Sequence, residues 1–467
     1  MSNCKARETK IIIAVHNEIT GDTRVRKTAT TLNKYGYNVK LLGLADVESS
    51  QKIDGIDSIL IGKNVSLRAY NFITKSIARV GKRIKQKKIL LLSFASLIIV
   101  LLFSYIYHLN AWRFLKVLTL GLSVVGLALA CKDRVVMLIK IIRDRYALPV
   151  AYRITAQKMS RAILSEGAQI IHAHDIIALM AAVYVKKTNP QCIIIWDAHE
   201  LYTELAYKSA YTTRFIDQII TKSALEVDYF ITINDSIAAY YAARYKALPK
   251  ATIIMNATRQ SSAIEIRSDK LRQATNIDSA QKILLFQGGL SNGRGIQLML
   301  AAVPDIPPDW SIVFMGNGQI KTEIEKAAKR YNATRLTSRP AICLIGPAPY
   351  EELALWTSGA TLGAIPYENT SLNHYYCTPN KLWEYPNACV PILASALPEM
   401  AAMISAHKTG ILIPINFGPD DIVKALKTVA DSQLNTMSSA CKKFNEAENW
   451  EKYEPMLVSI YNEMLCA

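Results

Sequence analysis

Twelve short apolar runs, separated by stretches with helical periodicity, constrain the fold of this chain more than any other feature. In the first half they are KIIIAV (10–15), NVKLLGL (38–44), QIIHAH (169–174), CIIIWDA (192–198), YFITIN (229–234) and TIIM (252–255). In the second half they are ILLFQGG (283–289), SIVFMG (311–316), ICLIG (342–346), LGAIP (362–366), VPILA (390–394) and GILIP (410–414). Near-continuous apolar strands are buried on both faces, which requires a parallel sheet with helices on either side. TRVRKTATTLNKY, ending at Gly36, and IIALMAAVYVKK (176–187) read as such helices. The polar stretch 256–282 parts the two series and reads as a linker. The sequence therefore predicts an α/β chain of two doubly wound, Rossmann-like domains. Their strand carboxyl ends would face a cleft, the usual place for nucleotides. A length of 467 residues accommodates this.

One segment does not belong to that alternation. Residues 89–109, ILLLSFASLIIVLLFSYIYHL, carry no formal charge over 21 positions. As a helix they would be about 31 Å long, close to the thickness of a bilayer core. A second run, FLKVLTLGLSVVGLALAC (114–131), follows after a short link, so a hydrophobic helical hairpin inserted over 82–145 is expected. The net charge of +17 also resides here: residues 63–161 hold 19 Lys and Arg against Asp133 and Asp144, and the rest of the chain balances. Basic residues on both outer flanks put them on the cytoplasmic side, with anionic membrane lipids as partners. Nucleic acid is a poor fit, because the charges lack interleaved aromatics. The competing reading is a pair of buried helices, but core helices seldom run so far without a polar face. Both a spanning hairpin and a re-entrant wedge fit, since Lys116 must snorkel and only 15 uncharged residues follow it.

Composition excludes disorder and a disulfide framework. Hydrophobic residues make up 51% and charged residues 20%, and the eight cysteines include no C-x-x-C pair. A reducing compartment is expected. The opening MSNCKARETKIIIAVHNE has five apolar residues before a polar break, which reads as a strand and not a secretory leader.

Three strand ends carry candidate chemistry. In ILLFQGGLSNGRGIQLML, Gly288, Gly289, Gly293 and Gly295 permit a tight turn before a helix, and Arg294 adds a cation where an anion would sit. The spacing is neither a P-loop nor G-x-G-x-x-G. VFMGNGQI puts Gly316, Asn317 and Gly318 at a second strand end. In TPNKLWEYPNACVPILAS, Thr378 is a candidate helix cap with Pro379 at the first helical position. Glu384 then falls beyond capping reach, where ribose hydroxyls are one candidate partner and solvent the other.

Together these stretches, with LIGPAPYEELALWTSGATLGAIPY, resemble the C-terminal domain of retaining glycosyltransferases of the GT-B fold, especially family 4. DTRVRKTATTLNKYGYNVKLLGL, HAHDIIALMAA and WDAHELYTE resemble that family's first domain, and WEKYEPMLVSIYNEM resembles its helix crossing back. The resemblance implies an acceptor-side domain over 1–256, a nucleotide-sugar domain over 257–445, and a crossing helix over 446–467. It implies hexosyl-type transfer from a nucleotide-sugar donor, with His199, Arg294 and Glu384 as catalytic residues. Gly288, Gly289, Gly295, Asn317, Asn380 and Lys381 would bind the donor, and Asn17, Asp22 and Arg24 would line the acceptor side. His172 and His174 are alternative histidines. Two positions depart from the pattern: Tyr376 stands at the first Glu of E-x7-E, and Gly289 at the usual Arg. With no compact D-x-D, no metal or other cofactor is expected. The hairpin 89–131 would anchor the enzyme at the cytoplasmic face of the plasma membrane, within reach of a lipid-linked glycan acceptor. A catalytically silent partner of the same fold and a nucleotide-sugar epimerase are the alternatives.

Overall fold

The computed structural model describes residues 8–63, 137, 140–206, 208–260, 268–334 and 341–466. The expected hairpin over 89–131 lies outside the described residues. Among the described residues, no helix is long and apolar enough to cross a membrane.

Two sheets account for all twelve apolar runs. The first contains β1 (Lys10–Ala14), β2 (Asn38–Ala45), β3 (Ser49–Ile53), β4 (Ile56–Gly62), β5 (Ile170–His174), β6 (Ile193–Ala198), β7 (Tyr229–Thr232) and β8 (Ala251–Ile253). Its order is β3-β4-β2-β1-β5-β6-β7-β8, parallel except for the β3–β4 pair. The second contains β9 (Lys282–Gln287), β10 (Trp310–Met315), β11 (Ile342–Ile345), β12 (Leu362–Ile365), β13 (Ile392–Ser395) and β14 (Gly410–Ile413). Its order, β11-β10-β9-β12-β13-β14, is wholly parallel. Both sheets reverse strand order beside their first strand, which is where crevices open in doubly wound folds. The two Rossmann-like units expected from the sequence are present. The hairpin β3–β4 was not foreseen, because Ser49–Ile53 exposes four of its five residues.

Alternation along β1 explains how the first sheet is covered. Ile11 and Ile13 face one apolar core, together with α1 (Thr23–Lys34). Ile12 and Ala14 face another, against α2 (Leu148–Glu166), α3 (Asp175–Thr188) and α4 (Ala210–Ser223). The polar stretch 256–282 is not only linker, since α5 (Lys270–Thr275) forms within it and buries Leu271. In the second unit, α6 (Ile296–Ala302) follows β9, and α7 (Lys381–Asn387) lies between β12 and β13. Thr378 does not cap α7. Asn380 occupies the cap, so Glu384 lies in the first turn of the helix.

The chain finishes with α8 (Trp450–Cys466), which packs on α1 and the first sheet. Trp450 Nε1 donates to Thr31 Oγ1 at 2.8 Å, and the Tyr461 hydroxyl meets His172 Nδ1 at 2.8 Å. The buried Glu454 carboxylate accepts from Thr31, Lys34 and Arg259 at 2.9, 2.9 and 2.7 Å. Burial raises its pKa, but these donors prevail and hold it below 4.5. A depressed carboxyl contributes stability above its unfolded pKa and loses it as pH falls through the folded one. Glu454→Gln should therefore lower stability by about 2 kcal/mol at pH 7, as for hydrogen bonds to a charged group. The gap to the parent should narrow below about pH 4.5, read from Tm against pH.

Candidate functional site

In the second unit the loops leaving adjacent strands press backbone against backbone. Gly316 has φ +157°, and a Cβ there would overlap the Gly288 carbonyl. Gly295 has φ +71°, and a Cβ there would overlap the carbonyl of Pro366. Only glycine permits such approaches. They bring the end of β9 against β10 on one side and β12 on the other. The Leu290 N–H completes the packing by donating to Asn317 O at 2.9 Å.

Two cations project onto this turn. Arg294 Nη1 donates to Gly289 O at 3.2 Å, and its guanidinium lies 5.5 Å from the Tyr367 ring centre. A Cβ on Gly288 would come within 2.8 Å of Lys381 Nζ, so that ammonium sits directly over the turn. No carboxylate among the described residues is in ion-pair range of either group. Glu384 is oriented by Gln287, whose Nε2 donates to Glu384 Oε2 at 2.9 Å while its Oε1 accepts from Thr357 at 2.8 Å. The other oxygen, Oε1, has no partner among the described residues.

The first unit contributes a linked pair of histidines. His16, Asp175 and His199 stand just beyond the ends of β1, β5 and β6. One Asp175 oxygen meets His16 Nδ1 at 3.2 Å, and the other meets His199 Nε2 at 3.3 Å. The Tyr202 hydroxyl also donates to Asp175. Asp175 adopts φ +67°, rare for a residue with a Cβ, so the network holds backbone strain in place. Burial disfavours the charged His199 ring, but Asp175, then Asp197 and Asp22, outweigh it and raise its pKa above 6.5. His199 Nδ1 is buried and has no hydrogen-bond partner among the described residues.

A cavity of about 300 Å³ joins the two units. His199, Arg294, Asn380, Lys381 and Glu384 all line it. Gly288 and Gly289 adjoin it through Lys381 and Arg294, and Gly295 caps α6 behind Arg294. The lining also includes Glu200, Asn256, Asn373 and His374, which sequence reasoning did not single out. Burial pushes the Glu200 carboxyl up, against the opposing effect of His199. Across the cleft, Asn373 Oδ1 accepts from the Leu201 N–H at 2.7 Å, and Asn234 Nδ2 donates to Tyr376 O at 2.8 Å.

Besides those three glycines, four expected site residues lie outside that lining. Asn317 braces the Gly288–Leu290 turn through its carbonyl. Asn17 donates to Asp22 at 2.9 Å, and Asp22 caps α1 by accepting from Val25 N. Arg24 lies in the first turn of α1 and is buried. Its Nε donates to Asp197 at 2.7 Å and its Nη1 to Ile254 O and Asn256 Oδ1 at 2.9 Å. It shares the buried face of α1 with Thr28 and Thr31. His172 and His174 are also buried away from the cleft lining, stacked with an interplanar angle of 4°. With Asp197 they form the one three-ligand cluster among the described residues. Its chemistry suits a cation poorly, because Arg24 already occupies Asp197 Oδ2 and places a positive charge beside it.

Residues 281–432 match the family model described as glycosyl transferases group 1. No curated protein sequence matches the chain. Among solved structures, the fold is similar to sucrose-phosphate synthase (tll1590) from Thermosynechococcus elongatus, at 14% identity and TM-score 0.64, covering 98% of this chain and 99% of that one. It is also similar to the E. coli trehalose-6-phosphate structure with bound UDP-2-fluoro glucose, at 10% identity and TM-score 0.64, covering 97% and 99%. Anabaena Alr3699/HepE in complex with UDP and glucose gives 10% identity and TM-score 0.60, covering 97% and 100%.

Asp175→Asn removes the charge that sustains the His199 imidazolium. The His199 titration midpoint, followed by imidazole NMR, should fall from above 6.5 to at or below it.

Proposed function

We propose that this chain is a retaining glycosyltransferase that moves a sugar, of hexosyl type, from a nucleotide-sugar donor to a lipid-linked glycan at the cytoplasmic face of the plasma membrane. One observation carries the reading: His199, Arg294, Lys381 and Glu384 share a single cavity between two Rossmann-like units. The match of residues 281–432 to group 1 glycosyl transferases supports transfer, and the UDP compounds bound in the similar structures support the donor class.

The energetic obstacle is negative charge accumulating on the leaving diphosphate. Arg294 and Lys381, with no carboxylate partner among the described residues, meet that charge at the Gly288–Gly289 turn. Cations held in place before reaction act without reorganisation cost, which is why they lower the barrier. The free oxygen of Glu384 accepts from ribose hydroxyls, with Gln287 holding the carboxylate in register. His199 presents Nδ1 to the sugar, and Asp175 favours the protonated form of the ring that can donate there. The acceptor oxygen forms its bond to the anomeric carbon as the bond to the diphosphate breaks. The acceptor's proton passes to the departing phosphate oxygen, so the incoming group arrives on the face the leaving group vacates. No residue is needed as a general base.

Two experiments test this reading. With purified protein in detergent and lipid extract, Arg294→Ala and Glu384→Ala should each cut nucleoside diphosphate release by roughly 10²–10³-fold, the range for losing a transition-state stabilising group. Release that needs no acceptor, or survives both changes, contradicts it. Separately, deleting residues 89–131 should free the protein from membranes and lower activity on lipid acceptors. Full retention in the membrane fraction rejects the anchoring role.

A further inference from the structure

The outer layer of the first unit holds a second concavity, of about 230 Å³, that shares no lining residue with the cleft. Met180 and Val183 of α3 and Phe215 of α4 give it an apolar floor. Arg153 of α2, Lys187 at the end of α3 and Lys222 at the end of α4 stand around it. No carboxylate among the described residues pairs with any of the three. The adjacent Lys186, by contrast, is neutralised by Asp228 at 2.7 Å. No acid lines the concavity, so the charged groups around its apolar lining are all basic.

The surrounding surface has the same character. Leu225, just beyond Lys222, is 79% exposed. Ile142 and Tyr146, on the helical segment leading into α2, and Val150, in its first turn, are spaced four residues apart and each about half exposed. Arg145 stacks over the Tyr146 and Tyr211 rings at 5.4 and 5.5 Å. This segment continues the chain from the apolar runs that end at residue 131. Cations beside apolar surface, with no acid to oppose them, select an amphiphilic anion over a soluble one.

We propose that the concavity binds an anionic phospholipid, its phosphate met by Arg153, Lys187 and Lys222 and the start of an acyl chain resting on Met180, Val183 and Phe215. The inference rests on the membrane-side reading above and gives it a specific contact, distinct from the reacting acceptor.

The test uses the full chain in nonionic detergent, titrated with dihexanoyl phosphatidylglycerol and followed by native mass spectrometry. Dihexanoyl phosphatidylcholine and inorganic phosphate are the parallel arms. Saturable binding of the glycerol lipid is expected, at least about tenfold tighter than either comparison. The triple variant R153Q/K187Q/K222Q should lose at least about tenfold in that affinity at an unchanged Tm, since each basic residue near an anionic lipid contributes separately. Phe215→Ala should weaken the lipid and leave phosphate unaffected. Equal affinity for phosphate, equal affinity for the choline lipid, or a triple variant that binds like the parent overturns the proposal. Absence of saturable lipid binding, in a protein that deletion of 89–131 still releases from membranes, overturns the site and leaves the anchoring reading intact. Saturable binding in a protein that the deletion fails to release leaves the site and overturns the anchor.

Discussion

The ion pair between Arg24 and Asp197, closed at 2.7 Å in the interior, is the contact on which the cleft depends. Burial by itself would discourage ionisation of Asp197. Arg24, with His174 second, reverses that and holds the carboxyl well below its ordinary range. Such a pair contributes little net stability when whole, but half of it leaves an uncompensated charge costing about 3–5 kcal/mol. Its value here is positional. Arg24 sits in the first turn of α1, Asp197 is the penultimate residue of β6, and the remaining arginine bonds reach Ile254 and Asn256, where the chain leaves the first sheet. His199 follows Asp197 by two residues, and Asn256 lines the cavity. One salt bridge thus fixes the floor beneath the histidines.

The second unit solves its positioning problem by other means. It has no comparable buried ion pair among the described residues at the strand ends. Close backbone approaches at Gly288, Gly295 and Gly316 set the shape instead, and only then do Arg294 and Lys381 fold over the turn. The consequence is an electrostatic division of labour. At the cleft, Arg24, Asp197 and Asp175 of the first unit are satisfied internally, while Arg294 and Lys381 of the second are left available for a ligand.

Most of the fold was legible because parallel strands buried on both faces leave an unmistakable apolar signature. Where burial is one-sided or absent, as in Ser49–Ile53, that signature vanishes and the edge hairpin went unread. The site was legible in its glycines, Arg294, Lys381 and Glu384, whose residue types announce charge or backbone freedom. Arg24 was misplaced because its partner lies 173 positions away, and nothing local says that an arginine near a helix start faces inward. Asp175 was missed for a related reason. Its importance comes from a left-handed backbone and from histidines delivered by two other strands. Gln287 reads as the unremarkable end of an apolar run until its amide is seen bridging Glu384 and Thr357.

The helix α8 also alters how the halves are joined. The chain passes between them twice, once after Asn256 and again before Trp450, and the two passages touch: the Trp450 N–H donates to Thr258 O at 2.8 Å, and Gln260 N–H to Glu451 at 3.1 Å. Paired crossings stitched side by side behave like a door's hinge pin. Sliding or twisting one half past the other would have to tear the stitches, and widening the gap that holds His199 and Glu384 would have to break the Asn373–Leu201 and Asn234–Tyr376 bonds across it.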